Sequence, residues 1–334
     1  GVGPEDRVSY LLPNFPDLHT VIWGSQAAGI TAPVNWMLEA DHIAAIIRSV
    51  APKVLVALGP TPGFDIWDKV QAIKGDIPSV EHILRISLYG EDDSAQSFTR
   101  AMEKYPGDKL TFNRAISLDD IAALMHTGGT TGTPKITQNT HRGLLYQAWA
   151  GAMGSAYRHD DTRWEAGPSF HIPIVTGGGL TPLAQGMTMV NTGPLGFRHK
   201  AMMRNYWKMM ARYNITRLYG VPTILIALAN VPAGDTDFSG LRFSISSSSP
   251  LPLEVSHQLE RITGQKIALI YGLTETSASI TCHPRDGEIR HGSCGLRRPY
   301  THIRAVVLDA GGNIERDCRA DEIGQFVVKG PGLI

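Results

Sequence analysis

A loop rich in glycine and threonine, closed by a lysine, follows a short apolar run of the chain. It reads Thr127-Gly128-Gly129-Thr130-Thr131-Gly132-Thr133-Pro134-Lys135. Glycines let the backbone turn several N–H groups toward one anion, threonine hydroxyls add donors, and a lysine adds positive charge. We therefore predict a phosphate-binding loop, with a polar surface loop as the alternative. A Walker A motif is excluded, because it needs Gly-Lys-Ser/Thr and here Pro134 precedes Lys135.

A second polar segment ends another apolar run. It reads Tyr271-Gly272-Leu273-Thr274-Glu275-Thr276. In open parallel sheets, ligands bind beyond the carboxyl ends of the strands. There a tyrosine can stack on a base, a threonine can donate to a phosphate, and Glu275 can hold Mg²⁺. This segment predicts one side of a nucleotide site.

Alternating apolar runs and helical periodicities surround both segments. The first series predicts strands Val8–Leu12, Ile30–Val34, Val54–Leu58, His82–Leu88 and Ile121–Met125. Its helices are Phe15–Gly29, Glu39–Val50 and Ile66–Lys74. The second series predicts strands Arg163–Ala166, Met187–Val190, Ile215–Tyr219, Leu241–Ser246 and Ile267–Tyr271, with helices Arg198–Tyr213 and Pro252–Thr263. Such alternation is typical of βαβ units and mostly parallel sheets.

The pattern changes near residue 285. His302–Asp309 and Ile323–Lys329 read as antiparallel strands without a helix between them. We predict the α/β class: two doubly wound subdomains, residues 1–160 (ending with the phosphate loop and the next helix) and 161–284, and a partial antiparallel β-barrel subdomain, residues 285–334.

Composition narrows the function classes. The 334 residues carry 31 Lys plus Arg and 31 Asp plus Glu, which argues against nucleic acid or an anionic membrane as the main partner. No apolar stretch is long enough for a transmembrane segment. With 3 cysteines, a disulfide scaffold is not expected, and we predict a cytoplasmic location.

A zinc site is the first alternative, because Cys282, His283, His291 and Cys294 lie close together in sequence. Their spacing fits no common zinc motif, and adjacent residues of a strand point to opposite faces. The sequence therefore favours the nucleotide site over zinc.

Together the two polar segments resemble motifs of the adenylate-forming superfamily, which includes acyl-CoA synthetases and has the acetyl-CoA synthetase-like fold. The resemblance extends to Gly167-Pro168-Ser169-Phe170-His171, Ser248-Ser249-Pro250-Leu251, Gly324-Gln325-Phe326 and Gly330-Pro331. It implies a carboxylic acid–CoA ligase of fatty acid metabolism, with ATP, Mg²⁺, coenzyme A and a small carboxylic acid as cofactors and substrates. It also implies that the acid first forms an acyl-adenylate and then a thioester.

The resemblance assigns a role to each motif residue. The phosphates would bind Thr127, Gly128, Gly129, Thr130, Thr131, Gly132 and Lys135. Thr274 would bind the α-phosphate and Glu275 the Mg²⁺, while His171 would lie near the reacting carboxylate. Adenine would lie between Tyr271-Gly272 and the backbone of Ser248, Ser249 and Pro250. The residues taken as catalytic are Thr130, Lys135, His171, Thr274 and Glu275.

Some positions depart from the family pattern. The run Ser246–Ser249 replaces a glycine-rich loop, and Leu269 replaces an amide, which predicts weak adenine recognition. The family's ribose-binding aspartate and its lysine-bearing C-terminal domain would come after residue 334. The sequence therefore predicts an internal fragment of the large N-terminal domain, poorly active alone.

Substrate choice is predicted only coarsely. The pocket candidates Gln147, Trp149, His171, Gly177 to Gly179 and Val221 to Thr223 bring little fixed charge, which favours a fatty or aromatic acid. Another acyl acceptor and a non-catalytic nucleotide- or acyl-binding homologue remain alternatives, and homodimer formation is expected.

Overall fold

Three β-sheets organise the chain in the computed structural model, which describes residues 1–127 and 135–334. The first sheet contains β1 (Arg7–Leu11), β2 (Ile30–Pro33), β3 (Val54–Leu58), β4 (His82–Ile86), β5 (Ile121–His126) and β6 (Ile136–Thr140). The helices of this region are α1 (Asp17–Ala28), α2 (Ala40–Val50), α3 (Ile66–Ile73), α4 (Phe98–Met102) and α5 (His141–Gly154). The strand order is β4-β3-β1-β2-β5-β6, parallel except for the antiparallel pair β5–β6.

The second sheet repeats this design. Its strands are β7 (Thr162–Glu165), β8 (Thr188–Asn191), β9 (Arg217–Gly220), β10 (Phe243–Ser246), β11 (Ile267–Leu273), β12 (Ala278–Cys282) and β13 (Leu296–Arg297). The helices are α6 (Ile172–Val175), α7 (Thr181–Gln185), α8 (Lys200–Arg204), α9 (Tyr206–Arg212), α10 (Pro222–Ala229) and α11 (Leu253–Thr263). Strands β8, β7, β9, β10 and β11 run parallel in that order, and β12 and β13 extend the sheet antiparallel.

A small antiparallel sheet completes the described fold. It contains β14 (His302–Leu308), β15 (Ile314–Asp317) and β16 (Gln325–Lys329) in the order β15-β14-β16. The predicted fold class, mostly parallel α/β sheets followed by a small antiparallel unit, is confirmed. The boundaries of the three subdomains remain predictions.

Burial of both sheet faces explains why the strands read so clearly. Every residue of β3, Val-Leu-Val-Ala-Leu, is buried, as expected for a strand with helices on both sides. On α2 the residues Ile43, Ile47 and Val50 share the buried side of the helix. The buried apolar residues hold the strands in place, and the two polar segments lie at the carboxyl ends of β5 and β11.

One predicted helix is interrupted. The run 198–213 forms a 3₁₀ turn (Gly196–Arg198) followed by α8 and α9, which are separated at Asn205. The side chain of Asn205 donates to the carbonyl oxygen of Ala201 at 2.9 Å, and its backbone leaves the helical region. Asparagine side chains compete in this way with the helical hydrogen-bond ladder.

Within residues 1–127 and 135–334, no helix has both the length and the hydropathy of a segment that spans a bilayer.

Candidate functional site

A cavity of about 940 Å³ opens where the parallel strands of the first two sheets end. Its lining comes largely from the carboxyl ends of five strands and the residues that follow them: Met125 to Thr127 at β5, Gly167, Pro168 and Phe170 to Ile174 after β7, Gly220 to Ile224 at β9, Ser247 to Ser249 after β10, and Gly272 to Glu275 at β11. Helix α5 adds Gln147 and Gly151, and Ser155 directly after the helix also lines the cavity. This is the position at which open α/β sheets bind ligands.

Most of the site residues predicted from sequence meet at this cavity. Those in its lining are Thr127, Lys135, His171, Ser248, Ser249, Gly272, Thr274 and Glu275. The predicted residues Gly128, Gly129, Thr130, Thr131 and Gly132 lie outside the described residues. The roles assigned to all of them remain predictions, although their common location is what a shared ligand requires.

Tyr271 and Pro250 are absent from the described lining of the cavity. The ring of Tyr271 instead packs against Phe326 of β16, with 5.9 Å between ring centroids. Side chains alternate along a strand, so Ile270 and Gly272 line the cavity while Tyr271 does not. Gly272 has a structural requirement of its own, because a Cβ there would overlap the carbonyl oxygen of Ala278 on the paired strand.

The predicted phosphate loop begins and ends at a backbone pair. The amide of Thr127 donates to the carbonyl oxygen of Lys135 at 2.9 Å, which continues the β5–β6 pairing by one step. The side chain of Lys135 is exposed and borders the cavity. A positive charge is thus available to a ligand at the carboxyl end of β5.

Buried amides attach the Thr274–Glu275 turn to the first sheet. Asn139 of β6, which has no exposed surface, donates to the carbonyl oxygen of Thr274 at 2.9 Å and to Ser277 Oγ at 3.1 Å. From α5, Gln147 donates to the carbonyl oxygen of Thr276 at 2.9 Å. Asn139 is not among the residues predicted from sequence, because its only local signal is that it is a polar residue in the strand directly after the loop.

Two histidines face the cavity beside the loop. The Nε2 atom of His126 accepts a hydrogen bond from the backbone N–H of Asn35 at 3.1 Å, and its ring stacks on Phe170. Burial, with a smaller effect from the charge of His171, lowers the pKa of His126 to about 4. Burial also lowers the pKa of His171, although its ring presents surface to the open cavity. Both imidazoles are therefore neutral at neutral pH. His126 was missed from sequence, although it directly precedes Thr127.

The serine run after β10 has a strained backbone. Ser248 adopts φ = +76°, a conformation that favours glycine. This agrees with a loop in which the predicted family pattern has glycines, and non-glycine residues with positive φ cluster at ligand sites. Before it, Ser247 Oγ lies 2.9 Å from the hydroxyl of Tyr219 on β9, which orders the rim of the cavity.

The candidate zinc residues point to different neighbours. The Cys282 thiol is buried and donates to the carbonyl oxygen of His283, while Nδ1 of His283 accepts from the amide of Leu269. His291 instead lies beside His257 and Glu260 of α11, with their ligand atoms within 4.8 Å of one another.

Charge in the described cavity lining is mostly positive. Lys135, Arg163, Arg198 and Arg298 face it, and Glu275 is the carboxylate among the described lining residues. The pocket residues predicted from sequence bring little fixed charge and do not include these arginines. Of those candidates, Gln147, His171, Gly177 and Val221 to Thr223 line the cavity, whereas Trp149, Gly178 and Gly179 are not in its lining.

Comparison with known proteins gives consistent matches along the whole chain. A family profile described as "AMP-binding enzyme" matches residues 1–334. Marinolic acid–CoA ligase of Pseudoalteromonas sp. (strain SANK 73390) is 34% identical over 339 residues, covering 100% of this chain and 52% of that protein. A long-chain-fatty-acid–CoA ligase of Bacillus subtilis (strain 168) is 26% identical over 357 residues, covering 100% of this chain and 62% of that protein.

Solved structures agree. The anthranilate CoA ligase AuaEII in complex with anthranoyl-AMP has a TM-score of 0.84 and 25% identity, covering 100% of this chain and 60% of that chain. ATP-bound MatB from Rhodopseudomonas palustris has a TM-score of 0.84 and 25% identity, covering 100% and 61%. The chain thus spans between half and two thirds of the length of these proteins.

Proposed function

Because the chain belongs to the family of AMP-binding enzymes, we propose that the protein is an ATP-dependent carboxylic acid–CoA ligase. The observation that carries this proposal is the cavity itself. It brings Thr127 and Lys135 from the first sheet and Thr274 and Glu275 from the second to one place. Hydroxyl donors and a lysine can bind the phosphates of a nucleoside triphosphate, and a carboxylate can bind its metal ion.

The proposed reaction has two displacements. A carboxylate oxygen of the acid attacks the α-phosphorus of ATP and pyrophosphate leaves; the thiolate of coenzyme A then attacks the acyl carbon and AMP leaves. Since neither step demands a strong base, the protein contributes mainly position and charge stabilisation. Lys135 and Thr127 bind the departing phosphates, and Thr274 donates to the α-phosphate. The residues Gly128 to Gly132 would also bind the departing phosphates.

Glu275 is the residue we propose for Mg²⁺. Its carboxylate is exposed at the cavity, has no ion pair within residues 1–127 and 135–334, and is of the ligand type that Mg²⁺ prefers. When bound, the metal would neutralise phosphate charge. Asn139 ties the turn that carries Glu275 to β6, the strand that directly follows Lys135, and both Glu275 and Lys135 line the same cavity.

Neutral histidines suit the carboxylate end of the site. A protonated imidazole would bind the carboxylate as an ion pair and lower its nucleophilicity. Neutral His171 can donate a single hydrogen bond and orient the acid. His126 fixes the position of Phe170 beside it through ring stacking. Both remain neutral because burial lowers the pKa of each.

For the substrate we propose a fatty or aromatic acid. Phe170, Ile172, Ile174, Val221 and Pro222 give the cavity apolar walls. The proteins compared above are named for marinolic, long-chain fatty and anthranilic acids. A different acyl acceptor and a non-catalytic homologue are the alternatives. A cytoplasmic location and homodimer formation stay predictions of the sequence.

Carboxylate-dependent exchange of labelled pyrophosphate into ATP tests the proposal, with the protein expressed from its complete gene. We expect exchange that requires Mg²⁺ and an apolar acid, and acyl-CoA when coenzyme A is added. Exchange without acyl-CoA would indicate another acceptor. If no acid supports exchange while ATP still raises the melting temperature, the protein is a non-catalytic binding homologue.

A further inference from the structure

Arg163 of β7 is a buried cation that forms no ion pair with another described residue. It is 6% exposed and lines the cavity. Among residues 1–127 and 135–334, no carboxylate oxygen lies within 4.0 Å of its guanidinium. Its Nε atom is buried and has no hydrogen-bond partner in that part of the chain. An arginine in this state is unusual, because burial of a charge is costly unless the charge is paired.

One structural task of Arg163 can be identified. Its Nη1 atom donates to the carbonyl oxygen of Gly177 in a π-helical turn between α6 and α7. In that turn the amide of Thr181 bonds to the carbonyl oxygen of Thr176, and the next position, Pro182, has no N–H to offer Gly177. A single donor meets this need. A neutral side chain would serve as well, so the carbonyl of Gly177 does not account for the positive charge.

The neighbouring Arg217 is an example of a buried arginine in this sheet whose charge is paired. Arg217 of β9 lies opposite Arg163 in the pairing of the two strands and is 3% exposed. Its guanidinium donates to Asp161 at 3.0 and 2.6 Å and to the carbonyl oxygens of Ser155 and Ala156, each at 2.8 Å. Arg217 is thus fully paired, whereas Arg163 is not.

Nearby groups supply only part of the missing negative charge. Glu165, two residues along β7, is hydrogen-bonded to His19 and Asn191, and the charge of Arg163 contributes to lowering the pKa of its carboxyl, although the two side chains form no ion pair within 4.0 Å. The ring of Tyr219, 5.8 Å from the Arg163 guanidinium carbon, gives only a weak cation–π attraction. A second buried arginine of the lining, Arg298, is 3% exposed and bonds Ala150 and Ser279 rather than a carboxylate. The described part of the cavity wall therefore carries more positive than negative charge.

We propose that Arg163 binds a second acidic group of the acyl substrate, so that the acid is a fatty or aromatic dicarboxylic acid. One carboxylate is activated, and the other forms charge-assisted hydrogen bonds with the guanidinium inside the cavity. This inference rests on the proposed ligase function. It accounts for a charged residue at a position from which an apolar acid would gain nothing.

Matched acids test it: octanedioate against octanoate, and terephthalate against benzoate. Calorimetric titration into the wild-type protein should give dicarboxylate binding at least about tenfold tighter than binding of its monocarboxylate partner. In the exchange assay, the ratio of kcat/KM for the dicarboxylate to that for the monocarboxylate should fall about tenfold to hundredfold in Arg163→Met. In Arg163→Met, most of the decrease in kcat/KM for the dicarboxylate should come from a higher KM.

Two further variants serve as controls. Arg163→Lys keeps the charge and should retain part of the dicarboxylate preference. Arg204→Met removes an exposed arginine of α8 outside the cavity lining and should leave the ratio unchanged. Arg163→Met should change the urea midpoint of unfolding only slightly, because the lost hydrogen bond to the carbonyl oxygen of Gly177 is offset by removal of a buried charge. A purely structural arginine would lower the midpoint strongly in Arg163→Met and leave the ratio of the two acids unchanged.

The outcomes separate the two proposals. Monocarboxylates that bind and react as well as dicarboxylates in the wild type would overturn the inference while leaving the ligase function in place. If no acid supports exchange, the ligase function fails, and the calorimetric titration still decides whether this cavity prefers dicarboxylates. A preference that survives Arg163→Met would also overturn the assignment.

Discussion

Asn139 and Thr274 join the two polar segments that the sequence keeps far apart. The side-chain amide of Asn139 donates to the carbonyl oxygen of Thr274 at 2.9 Å across a separation of 135 residues. Its Oδ1 atom accepts from Thr137, and the same amide reaches Ser277, so the buried side chain is held on both sides. The strand after the phosphate loop thereby fixes the turn that carries Glu275.

Replacement of Asn139 by alanine should lower the free energy of unfolding by about 2–3 kcal/mol, because buried partners lose their hydrogen bonds. Asn139→Asp should be at least as damaging, since it places a carboxylate oxygen against the carbonyl of Thr274. Asn230→Ala, at an exposed side chain at the end of α10, is the matched control and should cost less than about 1 kcal/mol. Urea unfolding measures all three; equal costs for Asn139→Ala and Asn230→Ala would refute the role.

The Asp161–Arg217 pair supports the second sheet. Burial alone would raise the pKa of the Asp161 carboxyl, but hydrogen bonds from Arg217, Arg158 and Thr216 outweigh it and lower that pKa. Asp161→Asn should reduce the free energy of unfolding by about 3–5 kcal/mol, because it leaves Arg217 as an unpaired buried charge. Asp160→Asn, at a partly exposed neighbour paired with Arg158 and Arg242, should cost at most about 1 kcal/mol. Urea titration at neutral pH compares them.

Local patterns were readable from the sequence, and distant polar contacts were not. The apolar run Val54–Leu58 predicts a buried strand because burial on both sheet faces leaves a continuous signature. The cluster Thr127–Lys135 predicts a ligand loop because donors are concentrated in one segment. Asn139 has no such signature, since its function depends on Thr274, 135 residues away.

Arg163 shows the same limit for charges. From sequence it is one more arginine in a strand. Nothing nearby reveals that Arg217 has a carboxylate partner while Arg163 forms no ion pair with any residue that the structure describes. The motif predicts Tyr271 beside the nucleotide, and this role stays a prediction; the contact of its ring with Phe326 of a later sheet could not be read from the motif. A motif predicts which residue types lie near one ligand. The hydrogen-bond or ion-pair partner of a side chain, and the direction in which it points, depend on how the sheets pack together.

Lys135 provides a prediction about the nucleotide. Lys135→Ala should weaken binding of ATP with Mg²⁺ about tenfold or more, because the exposed ammonium group at the cavity pairs with phosphate. The midpoint of thermal unfolding should not change, since the side chain is exposed. Lys74→Ala, at an exposed lysine of the first sheet region outside the cavity lining, is the control. Calorimetric titration with ATP gives the result, and unchanged affinity in Lys135→Ala would exclude the phosphate role.

Glu275 makes a separable prediction about the metal. Glu275→Gln keeps the shape of the side chain and removes its charge, so the Mg²⁺ concentration that half-saturates pyrophosphate exchange should rise about tenfold. The fold should be unaffected, because the carboxylate is exposed. Glu254→Gln, at an exposed carboxylate of α11 paired with Arg261, should leave the Mg²⁺ dependence as in the wild type. An identical Mg²⁺ dependence in Glu275→Gln would assign the metal to other ligands.

His126 predicts how stability changes with pH. Its pKa of about 4 in the folded chain lies below the ordinary value of 6.5, chiefly because of burial. Between those values the unfolded chain binds the proton and the folded chain does not, so the free energy of unfolding falls as pH falls from about 6.5 to about 4. At 1.4 kcal/mol per pKa unit, this group contributes a loss of roughly 3 kcal/mol.

The variant His126→Gln isolates that contribution, because glutamine keeps an acceptor for the amide of Asn35 but does not titrate. Urea unfolding from pH 7 to pH 4 should therefore show a shallower loss in the variant than in the wild type, while carboxylates that titrate in both cancel in the difference. His302→Gln, at an exposed position of β14, should keep the wild-type slope. Parallel pH profiles for His126→Gln and the wild type would mean that the imidazole takes up its proton equally in the folded and unfolded chains, and that the neutral state proposed for the acid-binding end of the cavity is wrong.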